Sequence, residues 1–153
     1  MIDGRCAHRR RDVRPCRRTR RSADAVITMF VSDFIELPGS PDEVTARVAA
    51  LHWEACDEVD DIDTGTPRAR DDTTYVPVLW TLRDETGPVT VLVGDLEIAP
   101  GIDGGTVMGL VASYPTPRGA QRGDRKVHRR VARGVRAGLH RLGTSLACEE
   151  IEP

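Results

Sequence analysis

Near the C-terminus, over residues 124–147, the sequence reads DRKVHRRVARGVRAGLHRLGTSLA. Six apolar residues in this segment recur at steps of three or four positions: Val127, Val131, Val135, Leu139, Leu142 and Leu146. Because an α-helix completes a turn in about 3.6 residues, this spacing places all six on one stripe of a helix. The segment therefore predicts a long amphipathic helix whose apolar stripe must be buried against another layer of structure.

Two glycines, Gly134 and Gly138, lie about one turn apart within this predicted helix. A glycine in a helix interior costs about 1 kcal/mol relative to alanine, so the pair needs a structural reason. Together the two glycines leave a bare strip on the helix surface. Such a strip permits close approach to a sheet or leaves space for a ligand, and both alternatives stay open.

Three strands upstream are predicted to supply the layer that covers the helix. The second of them spans residues 89–98, with a bulge predicted at Gly94 where the alternation breaks. The third spans residues 106–114, and the short turns between the three predict an antiparallel meander. The first presents one apolar face through alternate residues, which are Val76, Val78, Trp80 and Leu82.

A strand and a capped helix are predicted before the meander. Residues 29–37 are rich in Phe, Val and Ile and end at the turn signal Pro38-Gly39. Ser40 can cap a helix that begins at Pro41, and Glu43 completes a capping box with Ser40. The residues of this helix at helical spacing, predicted to be buried, are Val44, Val48 and Leu51.

The segment from residue 54 to residue 74 is strongly acidic, with eight acidic residues against two arginines. Val59 and Ile62 predict a short, exposed strand within it. A calcium loop needs three acids at alternate positions, then a glycine and a more distant glutamate, and Asp61 and Asp63 meet only the first part of this pattern. The segment is therefore interpreted as a solvated acidic connection, and no metal site is predicted.

The net charge of −2 on 153 residues conceals an uneven distribution. Residues 1–28 hold nine arginines and three aspartates and so carry +6, which leaves −8 on residues 29–153. A secretory signal would need a longer apolar stretch than this leader contains. Three interpretations stay open: a start site at or near Met29, with the leader translated from upstream GC-rich DNA; an inert tail; and a phosphate-binding arm.

The four cysteines show neither C-x-x-C pairs nor zinc-type spacing. Cys56 and Cys148 are predicted to be free thiols in a reducing cytoplasm, and no apolar run is long enough to span a membrane. The predicted organisation is a basic, disordered leader at residues 1–28, one domain at residues 29–148 and a disordered tail at residues 149–153.

Several segments resemble the START-like helix-grip superfamily, also called SRPBCC, which includes polyketide cyclases and lipid-transfer proteins. Residues 34–44 (FIELPGSPDEV) resemble its first strand and capped helix. Residues 94–98 (GDLEI) resemble a central strand of small bacterial members. The family's last strand and the start of its C-terminal helix are similar to three segments of this chain, which are residues 113–119 (SYPTPRG), Asp124-Arg125 and residues 128–132 (HRRVA).

The resemblance covers about residues 29–147 and implies an α+β helix-grip fold, in which a curved antiparallel sheet packs against a long C-terminal helix. The segment before Tyr75 is short for the family's extra helix and strand pair, which implies a sheet with fewer strands.

A curved sheet that grips one helix leaves an elongated apolar space, as in many small-molecule pockets. We therefore expect a small hydrophobic ligand, lipid or polyketide-like, between the sheet and the helix. Trp80 is predicted to form a wall and Tyr114 to offer a hydroxyl. No catalytic residue and no cofactor are predicted. The predicted lining is Trp80, Leu96, Met108, Leu110, Tyr114, Val131, Val135 and Gly138.

Other functions stay open beside ligand binding. An enzyme of the polyketide cyclase/dehydratase type needs a polar residue in the cavity, for which Glu97 and Tyr114 are candidates. Nucleic-acid binding through the leader and the basic face of the last helix is opposed by the acidic domain and by the lack of interleaved aromatic residues. His128 and His140 are predicted to be solvated, and Trp53 to close one end of the core. The sequence leaves the oligomeric state open.

Overall fold

The computed structural model describes residues 26–53, 55, 57–83, 89–117 and 121–148. The described residues form six strands and two helices, so the predicted α+β class is confirmed. In chain order they are β1 (Val26–Leu37), α1 (Pro41–Ala50), β2 (Val59–Thr64), β3 (Arg68–Arg70), β4 (Thr73–Leu82), β5 (Thr90–Pro100), β6 (Thr106–Pro117) and α2 (Gln121–Cys148).

The strands form one curved antiparallel sheet in the order β1-β6-β5-β4-β2, with β3 also pairing with β4. The predicted meander is confirmed, because β4 pairs with β5 and β5 with β6. β1 extends the sheet by pairing with β6 along its whole length, from Val26 opposite Pro117 to Leu37 opposite Thr106. The acidic segment supplies β2 and β3, which pair with opposite ends of β4 and form a broken edge strand.

The predicted start of α1 is confirmed in its hydrogen bonds. The backbone N–H of Glu43 donates to Ser40 Oγ at 3.3 Å, and the backbone N–H of Ser40 donates to Glu43 Oε2 at 2.9 Å. Pro41 is the first helical residue, where a missing N–H costs no helical hydrogen bond. Val44 and Val48 are buried, so α1 joins the same core as α2.

The two glycines of α2 let the helix lie close to the sheet. A Cβ on Gly138 would stand 2.6 Å from Trp80 Cζ3 and 2.9 Å from Val59 Cγ2. A Cβ on Gly134 would stand 3.2 Å from Leu82 Cδ2. Of the two roles predicted for the bare strip, close approach to the sheet is therefore the one that the structure shows.

Some predicted details are wrong. Gly94 forms no bulge, since it stays in register opposite Val78 and Ala112. A Cβ there would overlap the Val111 carbonyl oxygen, so glycine allows the backbones of β5 and β6 to approach closely. The short, exposed strand predicted around Val59 exists and four of its six residues are exposed, but Val59 itself is fully buried, because α2 covers it.

The first strand and the last helix both begin three residues earlier than predicted. Val26 to Thr28 belong to β1 because they pair with the last residues of β6. α2 begins at Gln121 rather than at residue 124. Residues 1–25 of the predicted leader, the predicted tail at residues 149–153 and Cys56 lie outside the described residues.

Replacing Gly138 with alanine is expected to destabilise the fold, although alanine is the better helix former by about 1 kcal/mol. The new Cβ would meet the Trp80 ring at 2.6 Å, and the shift that this forces costs about 1–3 kcal/mol. Gly134→Ala is the matched control, because its Cβ meets only the end of the flexible Leu82 side chain. Urea denaturation compares the two variants, and equal free energies of unfolding would contradict the prediction.

The capping box is expected to make stability depend on pH. The pKa of Glu43 lies below its ordinary value of 4.5, chiefly because its carboxylate accepts the backbone N–H of Ser40. A carboxyl group whose pKa is lower in the folded than in the unfolded protein stabilises the fold at pH values above its unfolded-state pKa. This stabilisation disappears as the pH falls through the folded-state pKa. Glu43→Gln should therefore unfold more easily than wild type at pH 7 and approach it in acid. A difference that stays constant in thermal melts from pH 7 to pH 3 would contradict this.

Candidate functional site

The eight predicted lining residues are brought together between the sheet and α2, and each of them is buried. We call this set the grip core. Its side chains come from β4, β5, β6 and α2, so it bridges the two layers of the fold. The grip core consists of Trp80, Leu96, Met108, Leu110, Tyr114, Val131, Val135 and Gly138.

Strand register explains why these residues share one face. Leu96 on β5 lies opposite Leu110 on β6, and Met108 lies opposite Ile98. Because side chains alternate along a strand, the residues between these positions point to the other face of the sheet. The three central strands therefore present one continuous apolar layer to α2.

Trp80 is the largest side chain of the grip core and is fully buried. Its ring lies against α2 at Gly138, so it occupies the space above the glycine. Its indole Nε1 has no hydrogen-bond partner among the residues that the structure describes. Leaving a buried donor without an acceptor costs about 1–3 kcal/mol, and buried tryptophans usually find one.

Tyr114 and His128 form the polar end of the grip core. Tyr114 Oη lies 2.7 Å from His128 Nδ1, and the two rings stack with centroids 6.2 Å apart. Tyr114 is buried as predicted, whereas His128 is half-buried rather than fully solvated, because the first turns of α2 place it against Tyr114 of β6. The helical spacing already indicated that His128 faces the sheet, because it precedes Val131 by three positions and Val135 by seven and so lies on the same stripe of the helix.

Other candidate residues lie elsewhere. Glu97 lies on the face of the sheet opposite the grip core, beside Gly109 and Tyr75 in the register. Trp53 is half-buried and packs against the core, as predicted, and its Nε1 also has no partner among the described residues. His140 is exposed on α2.

The solvent face of α2 concentrates positive charge. Residues 121–148 contain eight basic residues and one acidic residue. Lys126, Arg129, Arg130 and Arg133 line a surface cleft of about 430 Å³. Farther along the helix, Arg136 donates to Asp33 of β1 at 3.1 Å. The basic face therefore lies away from the grip core, and nucleic-acid binding stays an untested alternative that the acidic domain opposes.

No helix in the described part of the chain combines the length and the apolar character needed to cross a membrane. A function can be argued from three chemical features, which are the grip core, the Tyr114–His128 pair and the basic face of α2. Comparisons of the chain with family models, with curated proteins and with solved structures find no match.

Proposed function

We propose that the protein binds a small hydrophobic molecule, lipid or polyketide-like, between the sheet and α2, as members of the START-like superfamily do. The observation that carries this proposal is the Trp80 indole N–H, which is fully buried and has no acceptor in the described residues. A ligand with an apolar body and one oxygen atom would satisfy that donor. The surrounding grip core offers apolar contact to the rest of such a ligand.

Ligand entry beside Trp80 requires the grip core to rearrange, because the Trp80 ring lies directly against α2 at Gly138. Met108 is suited to this, since an unbranched thioether side chain repacks at low cost. Two interactions hold α2 to the sheet. Gly138 contacts Trp80, and His128 forms a hydrogen bond with Tyr114. A ligand that displaces the Trp80 ring would break its contact with Gly138, while the hydrogen bond between His128 and Tyr114 would keep α2 attached to the sheet.

The proposal predicts that the full chain, after exposure to a mixed lipid and polyketide extract, has a larger mass under native than under denaturing conditions. Trp80→Phe keeps an aromatic side chain but replaces the indole with a smaller phenyl ring that has no N–H, so it should lower uptake about 3- to 10-fold, as expected for one hydrogen bond. Trp53→Phe is the matched control, since it removes an unpartnered indole N–H outside the grip core.

Native mass spectrometry of wild type and both variants measures this uptake. Equal native and denatured masses of the wild type would show that the grip core is simply a filled core and would overturn the proposal. An equal loss in both tryptophan variants would overturn the role of Trp80.

The Tyr114–His128 pair favours a second candidate function, an enzyme of the polyketide cyclase/dehydratase type. A phenol and an imidazole at 2.7 Å can exchange a proton, and both border the apolar grip core. In such an enzyme the pair would move protons to and from a substrate carbonyl and its neighbouring carbon. Glu97 is excluded from this role by its position on the opposite face.

If the enzyme function holds, Tyr114→Phe and His128→Gln should each slow the cyclisation of a poly-β-keto thioester by about 10²- to 10⁴-fold. Glu97→Gln should leave the rate unchanged, because its side chain lies outside the grip core. Product formation followed by liquid chromatography is the measurement. Full activity in both the Tyr114 and the His128 variant would reject this candidate.

A further inference from the structure

The two edges of the sheet differ in how well they are protected from pairing with another chain. At one edge, the pairing of β2 with β4 shifts in register between Val59 and Asp61, and β3 pairs with β4 only after a break. The β2 sequence, VDDIDT, also contains three aspartates. Bulges, short strands and charges of this kind oppose edge-to-edge pairing. The other edge is β1, which pairs only with β6 in the part of the chain that the structure describes.

The first part of β1, residues 26–32, carries none of these protections. Its sequence, VITMFVS, contains no charged residue, proline or glycine, and it pairs with β6 without a shift in register. Most of these residue types favour strands. We call residues 26–32 the open edge. A regular, uncharged edge strand presents unpaired backbone N–H and C=O groups, so the open edge can accept a further strand.

Two observations show which backbone groups of β1 point away from β6. The Phe34 N–H donates to Asp33 Oδ1 at 2.9 Å, so it is directed to the side chain and not to β6. Pro115, which has no N–H, lies opposite Thr28 on β6. Because hydrogen-bonded and non-hydrogen-bonded pairs alternate along an antiparallel ladder, every second residue of β1 directs its N–H and C=O to the free side. Within the open edge these residues are Val26, Thr28, Phe30 and Ser32.

The first half of α2 runs alongside β1. At one point His128 contacts the tyrosine that lies opposite Met29, and farther along Arg136 donates to Asp33 at 3.1 Å. The helix advances about 12 Å between its two points of contact. β1 advances about 14 Å between the corresponding residues, so helix and strand keep pace. The cations of α2 between these two points are Arg129, Arg130 and Arg133.

A cleft of about 440 Å³ lies between β1 and α2. Its strand side includes Phe34 and Ile35, and its helix side includes Arg133 and Arg136. Arg133 also lines the cleft that holds the other cations of the basic face, so the two clefts adjoin. Cations three and four positions apart on a helix repel one another, and an anion beside them relieves that repulsion. The space next to β1 therefore suits a negatively charged partner.

We infer that an extended, acidic peptide segment of a partner protein adds a strand to β1 along the open edge. Backbone hydrogen bonds supply the contact, as in other cases of strand addition. Because side chains alternate along a strand, those on one side meet the cations of α2 and those on the other meet Phe30, which is 70% exposed. The partner segment therefore alternates acidic and apolar residues. A nucleic acid offers no such backbone pairing and is opposed by the acidic domain.

Fluorescence anisotropy of the full chain with labelled peptides of about ten residues tests the inference. A peptide of alternating Glu and Val should bind, and one of alternating Lys and Val should not. Thr28→Pro removes an edge N–H without a loss to β6 and should weaken binding about 3- to 10-fold, whereas Thr28→Val is the matched control that keeps the N–H. Arg133→Glu should weaken binding by a similar factor. Its matched control is Arg141→Glu, an exposed cation of α2 outside both clefts.

A wild type that does not bind the Glu–Val peptide at about 1 mM overturns the inference. Equal binding by the two Thr28 variants, with circular dichroism verifying that both are folded, shows that the peptide does not pair with the open edge and also overturns it. Equal binding by Arg133→Glu and Arg141→Glu does the same. If oligothymidylate displaces the peptide and binds Thr28→Pro as well as wild type, α2 is a nucleic-acid interface instead. Weaker binding by Thr28→Pro and Arg133→Glu alone supports the inference.

Discussion

The contact between the Trp80 ring and α2 at Gly138 sets the distance between the two layers of this fold. A side chain of any size at position 138 would meet the ring, so glycine is the residue that permits the approach. At this short distance the helix reaches both edges of the sheet, contacting Val59 on β2 and, through Gly143, Ile35 on β1. That close packing buries Trp80 and Val59 completely beneath the helix.

Elements specified by local physics were predictable from the sequence. The cap at Ser40 can be predicted from neighbouring residues alone, and the apolar stripe of α2 can be predicted from the helical spacing of its apolar residues. Pairings between distant segments, such as β1 with β6, depend on packing that no local pattern contains. Gly94 shows the same limit, because a glycine within a strand is compatible with a bulge and with a close backbone approach, and only the neighbouring strand decides between them.

The candidate site was predictable as a set but not in its polar chemistry. Alternation placed Trp80 and the other strand residues on the inner face, whereas His128 was missed because the stripe was defined by aliphatic residues alone. The exposed apolar residues on the opposite face of the sheet also had a signal in the sequence. Val91, Leu92 and Val93 are consecutive apolar residues, a pattern typical of a strand with both faces covered. Leu92 is buried in the core, and its two neighbours point outward.

The grip core and the exposed apolar face opposite to it are the two sides of the same strands. Leu96 faces the core while its neighbours on β5, Asp95 and Glu97, face outward, so the ligand proposed above would act on strands that also form the opposite face. If the proposed ligand alters the equilibrium of a second process on the opposite face, that process alters ligand binding by the same factor. Trp80 lies on the inner surface and Phe30 on the outer one, so substitutions at these two positions would separate effects on the two faces of the sheet.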